Sequence, residues 1–215
     1  MNQTIPGIIG YCEDNNPTIA SPYSPFVIQF YQTPDSLNNI EDYRSFLKNI
    51  ESAFRKSREY KAIKSRLIES GMSNCQIHGN LNAEMVDIEM HHNMLTLFDL
   101  AMIITEHMVK TTGKVSSFDV ERLLVEAHNN NEVLLVMLSK TPHQVYHANP
   151  EFFLPFEMCI GEPWKFLERY KYGITQDIAY KILRYLRQEE KNDGQINDQG
   201  LLNIRNQILS WGNIM

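Results

Sequence analysis

Apolar side chains repeat at intervals of three and four residues over long stretches of this chain, and this periodicity constrains its fold more than any other feature. Between residues 41 and 70 the repeat predicts an amphipathic helix that has room for one break and ends near Gly71. The same spacing predicts helices over residues 95–108 and 116–129, the second opened by Ser116. Most of the chain is therefore expected to be helical.

Two short stretches have the pattern of β-strands instead. Residues 84–90 alternate roughly between apolar and polar side chains and run into the pair His91 and His92, which predicts a strand that delivers two adjacent histidines. Residues 133–138 read VLLVML, the pattern of a buried strand. Together with the helices, these strands predict an α+β fold that is mainly helical.

The second strand is followed by a predicted helix that carries two histidines. Thr141 can cap this helix, with Pro142 in the first position, where a missing N–H costs nothing. His143 and His147 are four residues apart and share one helix face, a spacing that lets two imidazoles reach one metal ion. A strand ending in Glu-x-His-His, a second strand and a helix with His-x-x-x-His follow the order of a ββα-metal site.

The other histidines have plainer interpretations, although all seven fall between His78 and His147. Cys75 and His78 form a Cys-x-x-His pair, but a structural zinc site needs four ligands and no second pair follows, which favours packing or support. His107 and His128 lie near predicted helix ends, where a cation complements the helix dipole. His128 could also support the metal site indirectly.

The charge is unevenly distributed along the chain. The formal net charge is −6 over 215 residues, which argues against a protein that coats nucleic acid. Residues 44–66, however, contain eight basic and two acidic side chains, whereas residues 75–150 contain four basic and nine acidic ones. The basic face of the first helix is therefore either a solvated surface or a surface that contacts phosphates.

The composition indicates a soluble, cytoplasmic protein without a membrane partner. No apolar run approaches the roughly 18 residues that a membrane-spanning helix needs. The first residues lack the basic start and apolar core of a signal peptide. The three cysteines are widely spaced and odd in number, which does not suggest a disulfide framework.

Shifts in composition divide the chain into four regions. Five prolines within residues 1–37 predict an extended arm, in which 26–31 is the only strand-like run. Aromatic and basic residues mix after residue 150, a composition that can bind nucleic acid but favours a helical cap over the core. The regions are an extended N-terminal arm (1–40), a basic amphipathic helical region (41–74), a core with both strands and a helical insertion (75–150), and a C-terminal helical cap that ends in a short helix (151–215).

Several separated segments resemble the HNH (His-Me finger) endonucleases, and more narrowly HNH endonuclease-like proteins of large tailed bacteriophages. The resemblance rests on IEMHHNMLTLFDLAMII and VLLVMLSKTPHQVYHAN, and more loosely on flanking segments, so that it covers roughly residues 57–175. The segments occur in the order of the family. The resemblance implies an HNH ββα-metal core in residues 75–150, interrupted by an insertion of helices.

The resemblance also implies a role for each residue of the histidine motifs. His91 matches a metal ligand and His92 the general base that deprotonates the attacking water. His143 and His147 match the helix ligands that complete the metal site. Glu89 matches an acidic residue that orients these histidines.

The asparagine and the metal are less closely defined. Asn131 is the best match for the middle Asn of the family, ahead of Asn129 and Asn130, because it directly precedes the second strand. The implied cofactor is a divalent metal ion: Zn²⁺, Ni²⁺, Mn²⁺ or Mg²⁺. Three imidazole ligands favour the first three over Mg²⁺, which prefers oxygen ligands.

The main functional prediction is a metal-dependent HNH-type endonuclease that hydrolyses DNA phosphodiester bonds. A neutral imidazole such as that of His92 is a suitable base for water near neutral pH. The alternative is a non-catalytic phage assembly or binding protein that keeps the HNH fold, with phage proteins as partners. Either would act in the host cytoplasm if a phage encodes it. The residues predicted to contact DNA are Arg55, Lys56, Arg58, Lys61 and Lys64.

Overall fold

The computed structural model describes residues 8–11, 17–20, 27–29, 31–149, 152–192 and 199–210. The side chains of its first three segments and of His147 lie outside this description. The described helices are α1 (Ile40–Lys56), α2 (Arg58–Glu69), α3 (Leu97–Thr112), α4 (Ser117–Asn129), α5 (Lys140–Ala148), α6 (Pro163–Arg169), α7 (Gln176–Lys191) and α8 (Gln199–Ser210). The described strands are β1 (Ile8–Tyr11), β2 (Pro17–Ala20), β3 (Val27–Gln29), β4 (Ile88–His92) and β5 (Leu135–Ser139). The predicted class, mainly helical α+β, is confirmed.

The N-terminal segment contains more regular structure than its prolines indicated. Strands β1, β2 and β3 form an antiparallel sheet in that order, with Ile19 opposite both Ile8 and Ile28. Pro17 is the first residue of β2, a position where a missing N–H does least harm to the hydrogen bonds of a sheet. One strand-like run was predicted within this arm, and the structure has three strands there.

The predicted break in the first amphipathic helix occurs at Ser57. Its hydroxyl donates to the carbonyl of Phe54 at 2.7 Å and accepts from the backbone N–H of Tyr60 at 3.1 Å. It thereby terminates α1 and caps α2. Both helices turn their apolar stripes inward, so that Phe54 and Ile63 are buried.

None of the described helices is long and apolar enough to cross a bilayer.

Strands β4 and β5 form an antiparallel pair that places the histidine motifs. His91 pairs with Val136 and His92 with Leu135. The strand was predicted to begin at residue 84, but residues 84–87 lie outside it and the pairing begins at Ile88. Helix α5 follows β5 directly and packs on both strands. It begins at Lys140, earlier than the predicted cap at Thr141.

The β4–β5 pair separates two apolar clusters of unequal size. Met90, Leu135 and Met137 belong to the main core, which helices α1–α4 and α6–α8 build. Val136 and Leu138 point to the other side and pack with Leu154 in a smaller cluster beside α5. Each strand of the pair therefore has one face toward the main core and one toward α5.

Candidate functional site

The two adjacent histidines of β4 lie on opposite faces of the strand pair. Successive side chains of a strand alternate between its faces, so only one of two neighbours can point toward α5. His91 shares the face of Val136 and points toward α5, whereas His92 shares the face of Leu135 and points into the main core. The two residues therefore cannot act together on one side of the strand pair.

On the α5 face, His91 and His143 come close together. Their ring centroids are 5.0 Å apart, and the ring of Tyr146 lies 4.3 Å from that of His91. The carboxylate of Glu89 accepts a hydrogen bond from Nδ1 of His143, which leaves Nε2 of that ring facing away from the carboxylate. A carboxylate on the outer nitrogen of a histidine is a common way to orient a metal ligand. The residues present therefore fit part of a metal site.

The third predicted ligand, His147, lies one turn after His143 on α5. Its side chain lies outside the described part of the structure. Within the described part, no group of three or more His, Cys, Asp or Glu side chains is arranged to hold a metal ion. Two of the three predicted ligands are thus brought together in the described structure.

On the core face, His92 is paired with His128 of α4. Their Nε2 atoms are 2.9 Å apart, and Nδ1 of His128 lies 2.6 Å from the carbonyl oxygen of Leu124. A carbonyl can only accept, so Nδ1 of His128 carries a hydrogen and its Nε2 is the acceptor. His92 therefore donates its Nε2 hydrogen to His128. Both residues are buried, at 5% and 1% exposure.

Burial keeps this histidine pair neutral. Loss of solvation lowers the pKa of His92 well below its ordinary value, and the neighbouring His128 and Arg55 act in the same direction. Loss of solvation also lowers the pKa of His128 to about 4. An imidazole that is buried on the side away from α5 and hydrogen-bonded to another imidazole is poorly placed to take a proton from water bound near His143. The geometry thus gives His92 a place in the core.

Asn131 lies in the turn after α4, apart from the histidine contacts. Its backbone has φ 56°, a left-handed conformation that Asn adopts more readily than most residues. Its N–H donates to the carbonyl of His128 at 3.2 Å, and its carbonyl accepts from Glu162 at 2.7 Å. Asn131 therefore joins this turn to the segment before α6 through its main chain.

Asn93, a buried amide directly after the histidine pair, was not among the predicted site residues. Asn93 is 1% exposed, and its Nδ2 donates to the carbonyl of Leu154 and the hydroxyl of Tyr185, each at 2.8 Å. Tyr185 also donates to Leu154 at 2.7 Å. This network ties the end of β4 to α7 and to the segment between α5 and α6. Its position two residues after His91 on a strand-like run could have indicated that Asn93 lies on the same face as His91.

The basic residues predicted to contact DNA lie at the end of α1 and on α2. Arg55 forms an ion pair with Glu51 at 3.0 Å, which offsets its charge. Within the described residues no ion pair engages the other four basic side chains. These are Lys56, Arg58 and Lys61, which are exposed, and Lys64, which is half-buried.

Comparison with known proteins assigns a family to the whole chain. The family model described as Bacteriophage G278-like virion protein matches residues 4–211, while no curated protein and no solved structure matches. The assignment to HNH endonuclease-like proteins is therefore wrong, and so is the predicted function of DNA hydrolysis. The histidine order that suggested it is real, but one of its four histidines belongs to the core. The phage origin that the resemblance implied is confirmed: the chain belongs to the Bacteriophage G278-like virion protein family.

Proposed function

We propose that this protein is a non-catalytic structural or assembly subunit of a phage particle, with other phage proteins as its partners. The observation that carries the proposal is the match of the virion protein family to residues 4–211. The position of His92 supports it, because the residue predicted to be a general base contacts His128 in the core. Such a subunit would be made in the host cytoplasm and then incorporated into particles.

Within this role, the β4–β5–α5 unit would be a scaffold. Two antiparallel strands followed by a helix that packs on both have the order of the ββα core of HNH proteins. We propose that the chain keeps this core to hold its surrounding helices. Its strand pair packs against the main core on one face and against α5 and the Leu154 cluster on the other.

The direct test combines particle composition with genetic complementation. The chain should be found by quantitative mass spectrometry at a fixed copy number in purified particles. A phage that lacks the gene should be rescued by the double variant His92→Leu and His128→Leu, which removes both imidazoles of the core pair and keeps an apolar interior. The matched control is His92→Ala, which leaves His128 without its donor and should rescue poorly because it unfolds more easily.

Two results would contradict this role. One is absence of the chain from purified particles while it is abundant in infected cells. The other is a double variant that has the melting temperature of the wild type but yields no infectious particles. The second result would mean that an imidazole at position 92 or 128 is needed for something other than folding.

A divalent ion on the α5 face is a further proposal, with a structural role. His91 and His143 would be ligands, Glu89 would orient His143, and His147 would be the third ligand. Imidazole ligands favour Zn²⁺ or Ni²⁺. Purified protein should contain about one such ion per chain by elemental analysis, and its melting temperature should rise when Zn²⁺ is added.

Matched variants separate this metal site from adventitious binding by histidines. His91→Ala and His143→Ala should abolish the rise in melting temperature with Zn²⁺. His78→Ala removes an exposed imidazole that lies on a loop before β4, and it should leave the rise unchanged. Equal loss in all three variants, or no bound ion in the wild type, would contradict the site.

DNA contact by α1 and α2 also stays a proposal. Lys56, Arg58 and Lys61 are exposed around the junction of α1 and α2, and we propose that they face duplex DNA in the particle. Their joint replacement by alanine should weaken binding of a duplex at low salt by about tenfold, because about three phosphate contacts would be lost. Unchanged duplex binding would leave this surface as a solvated helix face.

A further inference from the structure

Helix α7 has a basic solvent face beside two adjoining cavities. Lys181, Arg184, Arg187 and Lys191 are all exposed, and their spacing of three and four residues places them on one face over about three turns. A cavity of about 220 Å³ opens beside the middle of this face, and a second of about 290 Å³ lies along it. Arg184 and the helix residue Gln188 line both cavities, which therefore adjoin each other and are together called the groove.

Four of the nine residues that line the first cavity are aromatic. Tyr146 comes from α5, Phe152 and Phe153 from the segment after it, and Tyr185 from α7. Phe153 and Tyr185 have ring centroids 5.1 Å apart, and Tyr146 meets Phe152 edge to face at 6.4 Å. A cavity of about 150 Å³ is enough to hold a benzene ring, so this one has room for a planar heterocycle.

The aromatic wall is held in place before any ligand binds. The Tyr185 hydroxyl donates to the carbonyl of Leu154 and accepts from Asn93, both of which are buried. Met94, which also lines this cavity, has a left-handed backbone with φ 61°, a conformation that a side chain of this kind rarely adopts. Strain of this kind is often retained at binding sites.

The positive charge of the groove is concentrated in its second cavity. Lys181 is paired with the buried carboxylate of Asp99 at 2.5 Å, so its charge is offset. No carboxylate among the described residues forms an ion pair with Arg184, Arg187 or Lys191, which line or adjoin the second cavity. Asp177 lies on the same helix face, but about two turns before Arg184. The groove therefore places flat rings directly beside uncompensated cations.

We propose that this groove binds single-stranded nucleic acid, with a base stacked in the aromatic cavity and phosphates along Arg184, Arg187 and Lys191. Stacking rings beside cations are the combination that single-stranded nucleic acid needs. An acidic peptide would use the cations but not the four aromatic rings. The cavity adjoins the proposed metal site, because the Tyr146 ring that lines it also contacts His91, but it shares no residue with the basic surface of α1 and α2. The proposal does not depend on the position that the subunit takes in the particle.

The test is fluorescence anisotropy of a short labelled oligothymidylate at low salt, with three variants of the full chain. Replacing Arg184, Arg187 and Lys191 together by alanine should weaken binding about tenfold or more. The matched control removes three charges elsewhere, through alanines at the exposed residues Arg44, Lys48 and Lys114, and should change the affinity for this single strand less than about twofold. Melting temperatures of these two charge variants, whose replaced side chains are all exposed, verify that they fold.

A third variant tests the stacking half of the proposal. Phe152→Leu keeps an apolar side chain but removes a ring, and it should weaken binding about fivefold or more without changing the salt dependence, because stacking is worth about 1–3 kcal/mol per base. An abasic oligomer of equal length should bind the wild type correspondingly less well.

Three results would overturn the proposal. The first is no binding of the oligomer by the wild type at low salt. The second is equal weakening by the α7 variant and by the control, which would attribute binding to the general charge of the protein. The third is displacement of the oligomer by polyglutamate as effectively as by unlabelled oligomer, with no effect of Phe152→Leu, which would assign the groove to an acidic peptide.

Discussion

The two faces of strand β4 carry adjacent histidines in opposite environments. On the α5 face, His91 meets His143 and Tyr146, and the partly exposed carboxylate of Glu89 contacts His143. On the core face, His92 meets His128 and lies above the apolar interior built by α1 and α4. On the first face Glu89 and His143 are partly exposed to solvent, whereas both histidines of the second face are buried.

This difference shows that residues adjacent in a motif can have unrelated roles when the motif lies on a strand. A pair of histidines in sequence suggests one site, but the alternation of a strand separates them by the thickness of the sheet. The core face must keep its imidazoles neutral, because a buried charge without a partner is costly. The α5 face has no such restriction.

The largest expected effect is the loss of stability when one member of the core pair is removed. His92→Ala should lower the free energy of unfolding by about 4 kcal/mol, since it creates a cavity and leaves Nε2 of His128 without its donor. His91 is as buried as His92, but His91→Ala should cost less than half as much, because Glu89 and His143 beside it are partly exposed and water can fill the space that it leaves. Urea unfolding of both variants measures the difference, and equal losses would contradict the distinction between the faces.

Replacement of both core histidines should be much less damaging than replacement of one. The double variant His92→Leu and His128→Leu leaves no orphaned imidazole, so its free energy of unfolding should lie within about 1.5 kcal/mol of the wild type. Additive losses from the two single changes would show that the 2.9 Å contact between the rings contributes nothing.

The core pair should also make the protein sensitive to acid. The folded state holds the pKa of His128 at about 4, whereas an unfolded imidazole has a pKa of about 6.5. Stability from this group is therefore complete above pH of about 6.5 and is lost as the pH falls toward about 4, by about 3 kcal/mol in total. His92 acts in the same direction, because its pKa is also lowered.

Urea unfolding at about pH 7.5 and about pH 4.5 measures this loss. The double leucine variant is the control, because it keeps every carboxylate and removes only the two core imidazoles. Its stability should fall less on acidification than that of the wild type by about 3 kcal/mol. Identical pH dependence in the two proteins would refute the neutral buried pair.

A smaller loss of stability is expected at Asn93, which lies two residues after His91 and points to the same face of the strand pair. Asn93→Leu removes the two hydrogen bonds to Leu154 and Tyr185 and should lower the free energy of unfolding by about 2 kcal/mol. Tyr185→Phe, which removes one of these partners, should lower it by about 1 kcal/mol. An Asn93→Leu variant that is as stable as the wild type would show that the α5 face depends on apolar packing alone.

The smallest effect on stability is expected at Glu89. Glu89→Gln weakens the contact with His143, but both side chains are partly exposed, so the loss should be less than about 1 kcal/mol. If the proposed ion binds, the same change should weaken its affinity by about 10- to 100-fold, since orienting carboxylates tune their histidines. A large loss of stability without metal would place Glu89 in the core.

The parts of the fold that could be predicted are those where local chemistry decides. The apolar repeat of residues 41–70 and the break within it follow from helix periodicity, and Ser57 caps the second helix with its own hydroxyl. Ser116 caps α4 as predicted, accepting from the N–H of Asp119 at 3.1 Å. These features need no knowledge of distant parts of the chain.

The parts that could not be predicted depend on contacts between distant residues. His92 and His128 are 36 positions apart, and nothing local marks them as partners. Asn93 contacts Leu154 and Tyr185, which are more distant still. The strand alternation at His91 and His92 was legible in the sequence, however, and would have placed only one of them beside α5.

His92 is a buried residue of the core, and the neutral state of its ring distinguishes the core face of β4 from the α5 face. The most direct test of this neutral state is a histidine-selective NMR titration of the folded protein, with His92 assigned by its leucine variant. We expect the His92 ring to stay neutral at pH values well below the ordinary imidazole pKa, because burial lowers its pKa, and its Nε2 to carry the hydrogen donated to His128. A His92 ring that titrates with the ordinary imidazole pKa of about 6.5 would contradict the account.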